Sequence, residues 1–227
     1  ESQWLTLDGM FTHLATADVA DTQFAQQQVS TFMRAVEQVR ALEIEVRHVH
    51  ISNSASAIRR LDTGVSCTMT RVGIAMYGIP GDAATNSFGA AHQLDLRPVM
   101  SVHARVSHVQ RVAAGQGVSY GLKRPLESDS TIATLPLGYA DGVPRGIWES
   151  GSVLVRGTRR AFAGVVTMDQ ILVNCANDAV SIGDEAVLIG AQGPELITAN
   201  ELANKMGTIG YEIVCAISAR MPRNYIN

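Results

Sequence analysis

Two runs rich in glycine and tyrosine, Gly117-Val-Ser-Tyr-Gly121 and Leu135-Pro-Leu-Gly-Tyr-Ala-Asp-Gly-Val-Pro-Arg145, decide how this 227-residue sequence is interpreted. Both lie in polar loops of a half of the chain that is otherwise rich in strand-like segments. Each places a tyrosine in a loop, which packing alone seldom requires. Two further runs complete the set, Thr167-Met-Asp-Gln170 and Gly207-Thr-Ile-Gly-Tyr-Glu-Ile-Val-Cys215.

Residues 96–227 have the pattern of a mainly antiparallel β domain. Short apolar segments alternate with turn signals such as Ala113-Ala-Gly, Arg156-Gly and Ile182-Gly-Asp. A single convincing helix is predicted, over residues 199–206. The predicted strands cover residues 99–112, 131–137, 152–156, 161–175 and 185–189.

Residues 1–95 instead alternate strands with helices, which is the pattern of parallel β/α units. Strands are predicted over 9–14, 46–51 and 67–76, and helices over 21–42 and 53–61. We therefore expect an α/β plus β protein: a partial (β/α)8 barrel of about three β/α units, followed by the β domain. A complete barrel needs about 250 residues, so about five units are unaccounted for.

Polar groups follow each predicted strand of this first half: His13, then Ser52-Asn53-Ser54, then Arg71-Val-Gly73. In β/α folds, functional groups collect at the carboxyl ends of the strands. Asn53 and Ser54 open a helix, whose free N–H groups and dipole favour a phosphate. The alternatives are that Asn53 only caps this helix and that Arg71 only forms a surface ion pair.

The four runs of the second half closely resemble the carboxy-terminal half of the alanine racemase family. The resemblance covers essentially the whole chain, in order. It implies a cytoplasmic isomerase that interconverts L- and D-alanine with pyridoxal phosphate, supplies D-alanine for peptidoglycan, and forms a homodimer with shared active sites. The sequence departs from the family pattern at Val165, where the family often has an arginine, and this removes one charge from the expected entry channel.

The resemblance assigns cofactor-binding roles to three segments. His50-Ile-Ser-Asn53-Ser54 is similar to the family's phosphate-binding stretch. Arg71-Val-Gly73-Ile74 is similar to the run whose arginine faces the pyridine nitrogen and whose backbone holds phosphate. An arginine stays protonated, so it does not readily give the ring nitrogen a proton. Tyr211 resembles the tyrosine that touches the phosphate and narrows the side-chain pocket.

Racemisation requires two acid/base groups on opposite faces of the substrate α-carbon. The resemblance implies that one is the lysine that holds the cofactor. The other is Tyr120 of the facing subunit, assisted by His13, which is backed by Arg71. The alternative for Tyr120 is that it only packs within its loop. Met168 and Asp169 resemble the pair beside the substrate carboxylate. The residues that resemble the lining of the entry channel are Asp18, Tyr139, Arg145 and Ile209.

The lysine that would hold the cofactor has no counterpart in the family-like segments. The chain has two lysines, Lys123 and Lys205, and neither follows a strand in the family context of small residues and a tyrosine. We expect both to be solvated surface residues, the amino-terminal part of the barrel to be absent, and the chain to be inactive alone. Two alternatives stay open: a racemase for serine or for a broad range of amino acids, and a non-catalytic remnant that acts only in folding or association.

Composition argues against several other classes of protein. The net charge is −3, and no basic stripe or nucleic-acid motif is present, so we expect no nucleic-acid partner. No apolar run reaches the roughly 18 residues of a membrane helix, so we expect no membrane association. Cys67, Cys175 and Cys215 lack metal-ligand spacing, which predicts reduced thiols and no metal.

Overall fold

The computed structural model describes residues 3–62, 64–80 and 94–226. The chain divides into two compact units, Glu1–Arg97 (unit 1) and Pro98–Asn227 (unit 2). Within the described ranges, no helix has both the length and the apolar character needed to cross a bilayer.

Unit 1 is built around one parallel pair of strands and the helix between them. Its elements are β1 (Gly9–Phe11), α1 (Gln23–Arg40), β2 (His48–His50), α2 (Ser54–Arg59) and a 3-10 helix (Ile74–Tyr77). Met10 of β1 lies opposite Val49 of β2 in the parallel register. These two strands and both helices form within the segments that the sequence pattern predicts, although each is shorter than predicted.

Helix α1 packs its apolar face onto the unit 1 sheet and the chain that follows each strand. Val29 joins a cluster that includes Leu14 and Ile51, and Val36 packs with Val46 and Val49. Burying each of these branched side chains contributes roughly 1.5–3 kcal/mol. The helix therefore fixes the ends of β1 and β2, where the polar residues begin.

The third strand predicted for unit 1, over residues 67–76, is not formed. Instead, the chain runs beside β2 with isolated hydrogen bonds: Thr68 N–H donates to Val49 O at 2.9 Å, and Arg71 N–H to Ser52 O at 2.9 Å. The Val49 N–H donates to the Thr68 hydroxyl and not to a backbone carbonyl. A side chain thus replaces one rung of the ladder, and the described residues contain one parallel strand pair and no closed barrel.

Unit 2 contains antiparallel sheets, as the sequence predicts. Strand β9 is central to one sheet and pairs with β3, β6 and β10, while β7 pairs with β6; the other sheet has the order β4-β5-β8. The strands are β3 (Val102–Arg105), β4 (His108–Val112), β5 (Ser130–Leu135), β6 (Ser152–Val155), β7 (Thr158–Ala161), β8 (Ile171–Asn174), β9 (Glu185–Gln192) and β10 (Glu195–Ile197).

Two strands predicted for unit 2 are shorter or divided. The segment predicted as one strand over 99–112 breaks at Val106 and Ser107, because the chain changes sheets there. Strand β3 pairs with β9 in one sheet, and β4 pairs with β5 in the other. Ser107 marks the change by donating its N–H to Thr134 O at 2.9 Å. The segment predicted over 161–175 is extended only at its ends, and residues 163–170 form a loop. That loop carries the Met-Asp motif.

The core of unit 2 is formed by large apolar side chains from both sheets. Leu135, Leu154, Ile171 and Ile197 are all fully buried. Two helices follow the last strand: α3 (Ala199–Met206), which the sequence predicts, and α4 (Gly210–Ala216), which it does not. Helix α4 begins with a glycine and has no side-chain cap, so the usual start signals are missing.

Candidate functional site

Arg71 connects the polar ends of the two strands of unit 1. One guanidinium nitrogen lies 2.6 Å from Nδ1 of His50. The other donates to Thr12 O at 2.9 Å and to Ile51 O at 3.3 Å, and lies 3.3 Å from Nδ1 of His13. The structure therefore brings polar groups at these strand ends into direct contact, and within the described residues Arg71 forms no ion pair.

The contact with Arg71 fixes the protonation state of His50. A guanidinium only donates, so Nδ1 of His50 must accept and its single ring proton lies on Nε2. Burial is the largest cause that lowers the pKa of His50, followed by the charges of Arg71 and His48. The ring also stacks on Phe11, with centroids 5.3 Å apart. His50 is thus a neutral support that holds the charged Arg71.

His13 lies between two donors. Its Nε2 is 3.3 Å from the amide nitrogen of Asn53, and its Nδ1 is 3.3 Å from Arg71. The Asn53 amide is oriented by its oxygen, which accepts the Ser56 N–H at 2.9 Å. Because a neutral imidazole accepts at only one nitrogen, each tautomer of His13 satisfies one of these contacts and leaves the other nitrogen protonated.

Ser54 joins the start of α2 to the turn after Arg71. Its hydroxyl oxygen accepts the Gly73 N–H at 2.9 Å and the Ala75 N–H at 3.3 Å. Both lone pairs are then engaged, which leaves the hydroxyl proton as the group that Ser54 can still donate. Ile74, predicted to act through its backbone, buries its side chain in the core. Asn53 caps α2, as the simpler interpretation requires, and it also contacts His13.

In unit 2, the turn that contains Tyr139 is bonded to the loop that contains Met168 and Asp169. Tyr139 N–H donates to Thr167 O at 3.0 Å, and Ala140 N–H to Met168 O at 3.1 Å. The approach requires glycine at position 138, because a Cβ there would lie 2.2 Å from Thr167 O. These two motifs lie about 30 residues apart in sequence and thereby form one surface.

The loop that presents Tyr120 is fastened to the same region. The Ser119 hydroxyl donates to Val165 O at 2.6 Å, and Tyr120 itself is 71% exposed. A Cβ at Gly164 would meet Val118 O at 2.5 Å, so the two segments approach closely. Val165, the departure from the family pattern, is buried and acts through its carbonyl. The structure therefore groups Tyr120, Met168, Asp169 and Tyr139 in unit 2.

A cleft of about 360 Å³ opens beside this group, between the Tyr139–Arg145 segment and the helices α3 and α4. Tyr139 and Arg145, two of the predicted entry residues, line it. Ile209 and Tyr211 precede and begin α4 and are exposed, but they do not line the cleft. Asp18, the fourth predicted entry residue, is exposed in a turn of unit 1.

Sequence reasoning missed Arg220. Its guanidinium donates to Asp169 at 2.7 Å and lies 3.3 Å from Asp141, and both contacts raise the pKa of Arg220, the Asp169 hydrogen bond most strongly. An arginine carries no local signal of carboxylates that are distant in sequence. The burial of Asp141, which requires a partner for its carboxylate, is visible only in the structure.

Comparisons with known proteins agree along the chain. The family model of the alanine racemase amino-terminal domain matches residues 1–80, and that of the carboxy-terminal domain matches residues 99–225. Alanine racemase of Halothermothrix orenii is 40% identical over 98% of this chain and 57% of its own length. That of Symbiobacterium thermophilum is 42% identical over 96% of this chain and 56% of its own length.

Solved structures give the same result. The crystal structure of alanine racemase from Bacillus anthracis with bound L-Ala-P superposes with a TM-score of 0.90 and 36% identity, covering 97% of this chain and 55% of that one. Alanine racemase from Streptomyces lavendulae gives 0.89 and 35%, covering 98% and 57%. The chain spans about half the length of the curated relatives it matches. It belongs to the alanine racemase family.

Proposed function

We propose that this chain forms the carboxy-terminal part of an alanine racemase, which interconverts L- and D-alanine with pyridoxal phosphate. The observation that carries the proposal is the 2.6 Å contact between Arg71 and His50 at the end of the parallel strand pair. On this proposal, unit 1 is the last part of a (β/α)8 barrel, which the order β1-α1-β2-α2 supports. The enzyme acts in the cytoplasm and supplies D-alanine for peptidoglycan.

The residues of unit 1 fit pyridoxal phosphate at both ends of the cofactor. The hydroxyl proton of Ser54, the first turn of α2 and the backbone at Gly73 suit the phosphate. A Cβ at Gly73 would meet nothing within 4 Å, so there is space beside this backbone. His50 and Arg71 suit the ring. When bound, pyridoxal phosphate acts as an electron sink that acidifies the α-hydrogen of an amino acid.

Arg71 and His50 limit proton supply to the cofactor ring. The guanidinium offers hydrogen-bond donors but does not release a proton near neutral pH. Because His50 is neutral and accepts from Arg71, it cannot deliver a proton through Nδ1. With the cofactor bound, Arg71, supported by His50, would face the ring nitrogen without giving it a proton, which would favour proton exchange at the α-carbon over side reactions.

Tyr120 is proposed to move the second proton of the reaction at its hydroxyl oxygen. A tyrosine has a pKa of about 10 in water, so it needs nearby positive charge or donors to act as a base. We propose a homodimer in which His13 and Arg71 of one subunit support Tyr120 of the partner subunit. Met168 and Asp169 of that partner then lie beside the substrate carboxylate, and Tyr139, Arg145, Ile209 and Asp18 line the entry route.

The substrate is proposed to be alanine. Tyr211, on the first turn of α4, is a bulky residue that would narrow the side-chain pocket and contact the phosphate. A pocket that excludes larger side chains discriminates by steric overlap, which rejects more strongly than a missing contact does. Serine, only one oxygen larger, is the closest competitor and is part of the test below.

The Schiff-base lysine is proposed to come from outside these 227 residues. Lys205 binds Ser150 O at 2.9 Å and pairs with Glu201 at 3.2 Å. Lys123 lies 6.0 Å from the centroid of the Trp148 ring. Both lie in unit 2 and have these other contacts, so we expect the chain alone to form no covalent cofactor adduct and no D-alanine.

The test combines the chain with an amino-terminal segment. The purified chain is mixed with the part of the Halothermothrix orenii racemase that it does not match, in the presence of pyridoxal phosphate. D-alanine and D-serine are measured by chiral chromatography. We expect D-alanine from the mixture, much less D-serine, and no product from either part alone.

The Arg71→Lys variant is the matched control, because it keeps the charge but loses the planar fork that contacts His50 and Thr12. It should assemble with the same segment and form D-alanine slowly. A complex that assembles, binds cofactor and forms no product would overturn the proposal and favour the non-catalytic alternative. Equal D-serine and D-alanine rates would favour a broad-specificity racemase.

A further inference from the structure

Arg220 bridges two carboxylates that belong to different loops. Its Nη2 donates to Oδ1 of Asp169 at 2.7 Å, and its Nε lies 3.3 Å from Oδ1 of Asp141. The other oxygen of Asp141 accepts the Gly138 N–H at 2.8 Å. Among the described residues, Arg220 is the one cation that forms an ion pair with either carboxylate. Without it, both negative charges would be unpaired.

The two loops do not depend on Arg220 for their backbone positions. The hydrogen bonds from Tyr139 and Ala140 to the 167–168 carbonyls already join them, and Gly138 fits tightly against that backbone. What Arg220 adds is positive charge and a fixed direction for the Asp169 side chain. Asp169 is more than half exposed, so its charge is presented at the surface that Met168 and Tyr139 share.

The chain after α4 is built to hold Arg220 in place. Ser218 N–H donates to Asp141 O at 3.0 Å, and the Ser218 hydroxyl accepts the Arg220 N–H at 3.2 Å. Three residues further on, the guanidinium of Arg223 donates to Ile217 O at 2.9 Å and to Ser218 O at 2.8 Å. The guanidinium of Arg223 therefore holds this tail through backbone carbonyls, whereas that of Arg220 contacts two carboxylates.

We infer that Arg220 is a positioning residue for the substrate carboxylate: it neutralises Asp169, so that the Met168–Asp169 loop accepts an anionic ligand. The inference rests on the proposed function, which places a substrate carboxylate beside this loop. An unpaired Asp169 would repel that carboxylate, and at the effective dielectric constant near a protein surface this repulsion is stronger than it would be in bulk water. With Arg220 paired, the loop presents no uncompensated charge from Asp169 to the substrate.

The test is a double-mutant cycle in the reconstituted racemase described above. We expect Arg220→Gln to raise the KM for L-alanine by about tenfold or more, with a smaller change in kcat, because ground-state binding of the carboxylate is weakened. Asp169→Asn in the same chain removes the charge that Arg220 balances, and the double variant should recover most of the lost affinity. Arg220→Lys should keep an intermediate KM.

Arg223→Gln is the matched structural control. It disturbs the same tail but leaves both carboxylates paired, so Asp169→Asn should not improve it. An unchanged KM in Arg220→Gln, or a double variant no better than Arg220→Gln, would overturn the inference while the parent remains active. If the parent itself forms no D-alanine, the proposed function fails instead.

A readout on the chain alone covers the possibility that Arg220→Gln misfolds. Hydrogen exchange of the Tyr139 and Ala140 amides should stay slow in Arg220→Gln, because their carbonyl partners do not depend on the guanidinium. Fast exchange at these amides, restored by no second substitution, would show that Arg220 acts in folding, and the inference would be wrong.

Discussion

The two units of this chain hold their polar groups in different ways. In unit 1, strands of three residues end in side chains that bind one another, and Arg71 contacts the ends of both strands. In unit 2, continuous antiparallel ladders and a buried core support loops whose tyrosine and methionine side chains face outward. On the proposed function, the same side chains would serve structure and chemistry in unit 1, whereas unit 2 would separate the two tasks.

The difference extends to exposed apolar surface. Unit 1 exposes Leu5, Phe11 and Met76 by 80%, 63% and 67%, together with Trp4, and its described residues form two strands. Elements with few buried contacts and unpaired strand edges open more readily than a closed core. We therefore expect unit 2 to be the more protected half in the isolated chain, and the predictions below test how far the two units are independent.

The largest expected effect is on activity, from a residue of unit 2 that has almost no structural role. Tyr120→Phe removes one hydroxyl from an exposed loop and should lower D-alanine formation in the reconstituted enzyme by about 10²–10⁴-fold, the usual contribution of a general acid or base. The thermal midpoint should not change. Tyr225→Phe, at an even more exposed tyrosine near the carboxyl end, is the control and should retain full activity.

If Tyr120→Phe lost stability as well as activity, the separation of tasks in unit 2 would be wrong. If it kept full activity, Tyr120 would not be the second acid/base group. Measuring racemisation separately from L-alanine and from D-alanine sharpens the result. Tyr120 would act on one face of the α-carbon, so its loss should slow isotope exchange more in one direction than in the other.

The next prediction compares two isoleucines that are fully buried, Ile51 in unit 1 and Ile171 in β8 of unit 2. Truncating either to alanine should cost about 2–5 kcal/mol of unfolding free energy, through lost burial and a residual cavity. Ile51→Ala should accelerate hydrogen exchange only in unit 1, and Ile171→Ala only in unit 2. A single unfolding transition whose midpoint both variants lower equally would show that the two units unfold together, contrary to their expected independence.

How well the sequence predicted the fold also differs between the units. The turns of unit 2 are encoded by adjacent glycines, prolines and asparagines, and its strands by short apolar runs, so most of its strands were predictable from local pattern. The pattern did not predict β10 or most of β7. In two further places tertiary contacts override the pattern: the chain at Val106 changes sheets, and α4 forms without a capping residue.

In unit 1, the predicted third strand failed because the Thr68 hydroxyl replaces a backbone acceptor, which no alternation of apolar residues reveals. The candidate site was more predictable than this strand. The strand-end rule placed His13, Asn53 and Arg71 at one edge, and the structure brings them into contact. Arg220 was not predictable, because its two carboxylates come near it only through the packing of the tail on the Tyr139 turn.

The N-caps of α2 and α3 provide a closely matched comparison of the two units, with a smaller expected effect. Asn53 caps α2 in unit 1 by accepting the Ser56 N–H at 2.9 Å, and Thr198 caps α3 in unit 2 by accepting the Glu201 N–H at 3.0 Å. Replacing either by alanine should cost about 1 kcal/mol. Only Asn53→Ala should also weaken binding of pyridoxal phosphate, because only Asn53 contacts His13. Equal cofactor affinity in the two variants, measured by fluorescence titration of the reconstituted enzyme, would reduce Asn53 to a cap.

The smallest expected effect is a dependence of unit 1 stability on pH. Folding lowers the pKa of His50, chiefly by burial and then through Arg71, so the unfolded chain binds a proton more readily than the folded one. Stability then rises with pH between the lowered pKa and the ordinary value of about 6.5, and is fully present above that value. Acidification through this window should weaken unit 1, because a protonated His50 can no longer accept from Arg71.

His50→Asn should remove this dependence, since an amide oxygen can accept from Arg71 and does not titrate. His108→Gln, at an exposed histidine of β4 in unit 2, should leave it unchanged. The measurement is the urea midpoint of unit 1, followed by hydrogen exchange between pH 5.5 and 7.5. If the dependence of unit 1 stability on pH survives His50→Asn, another group titrates. If unit 2 shows a dependence of the same size, the two units do not differ in their response to pH.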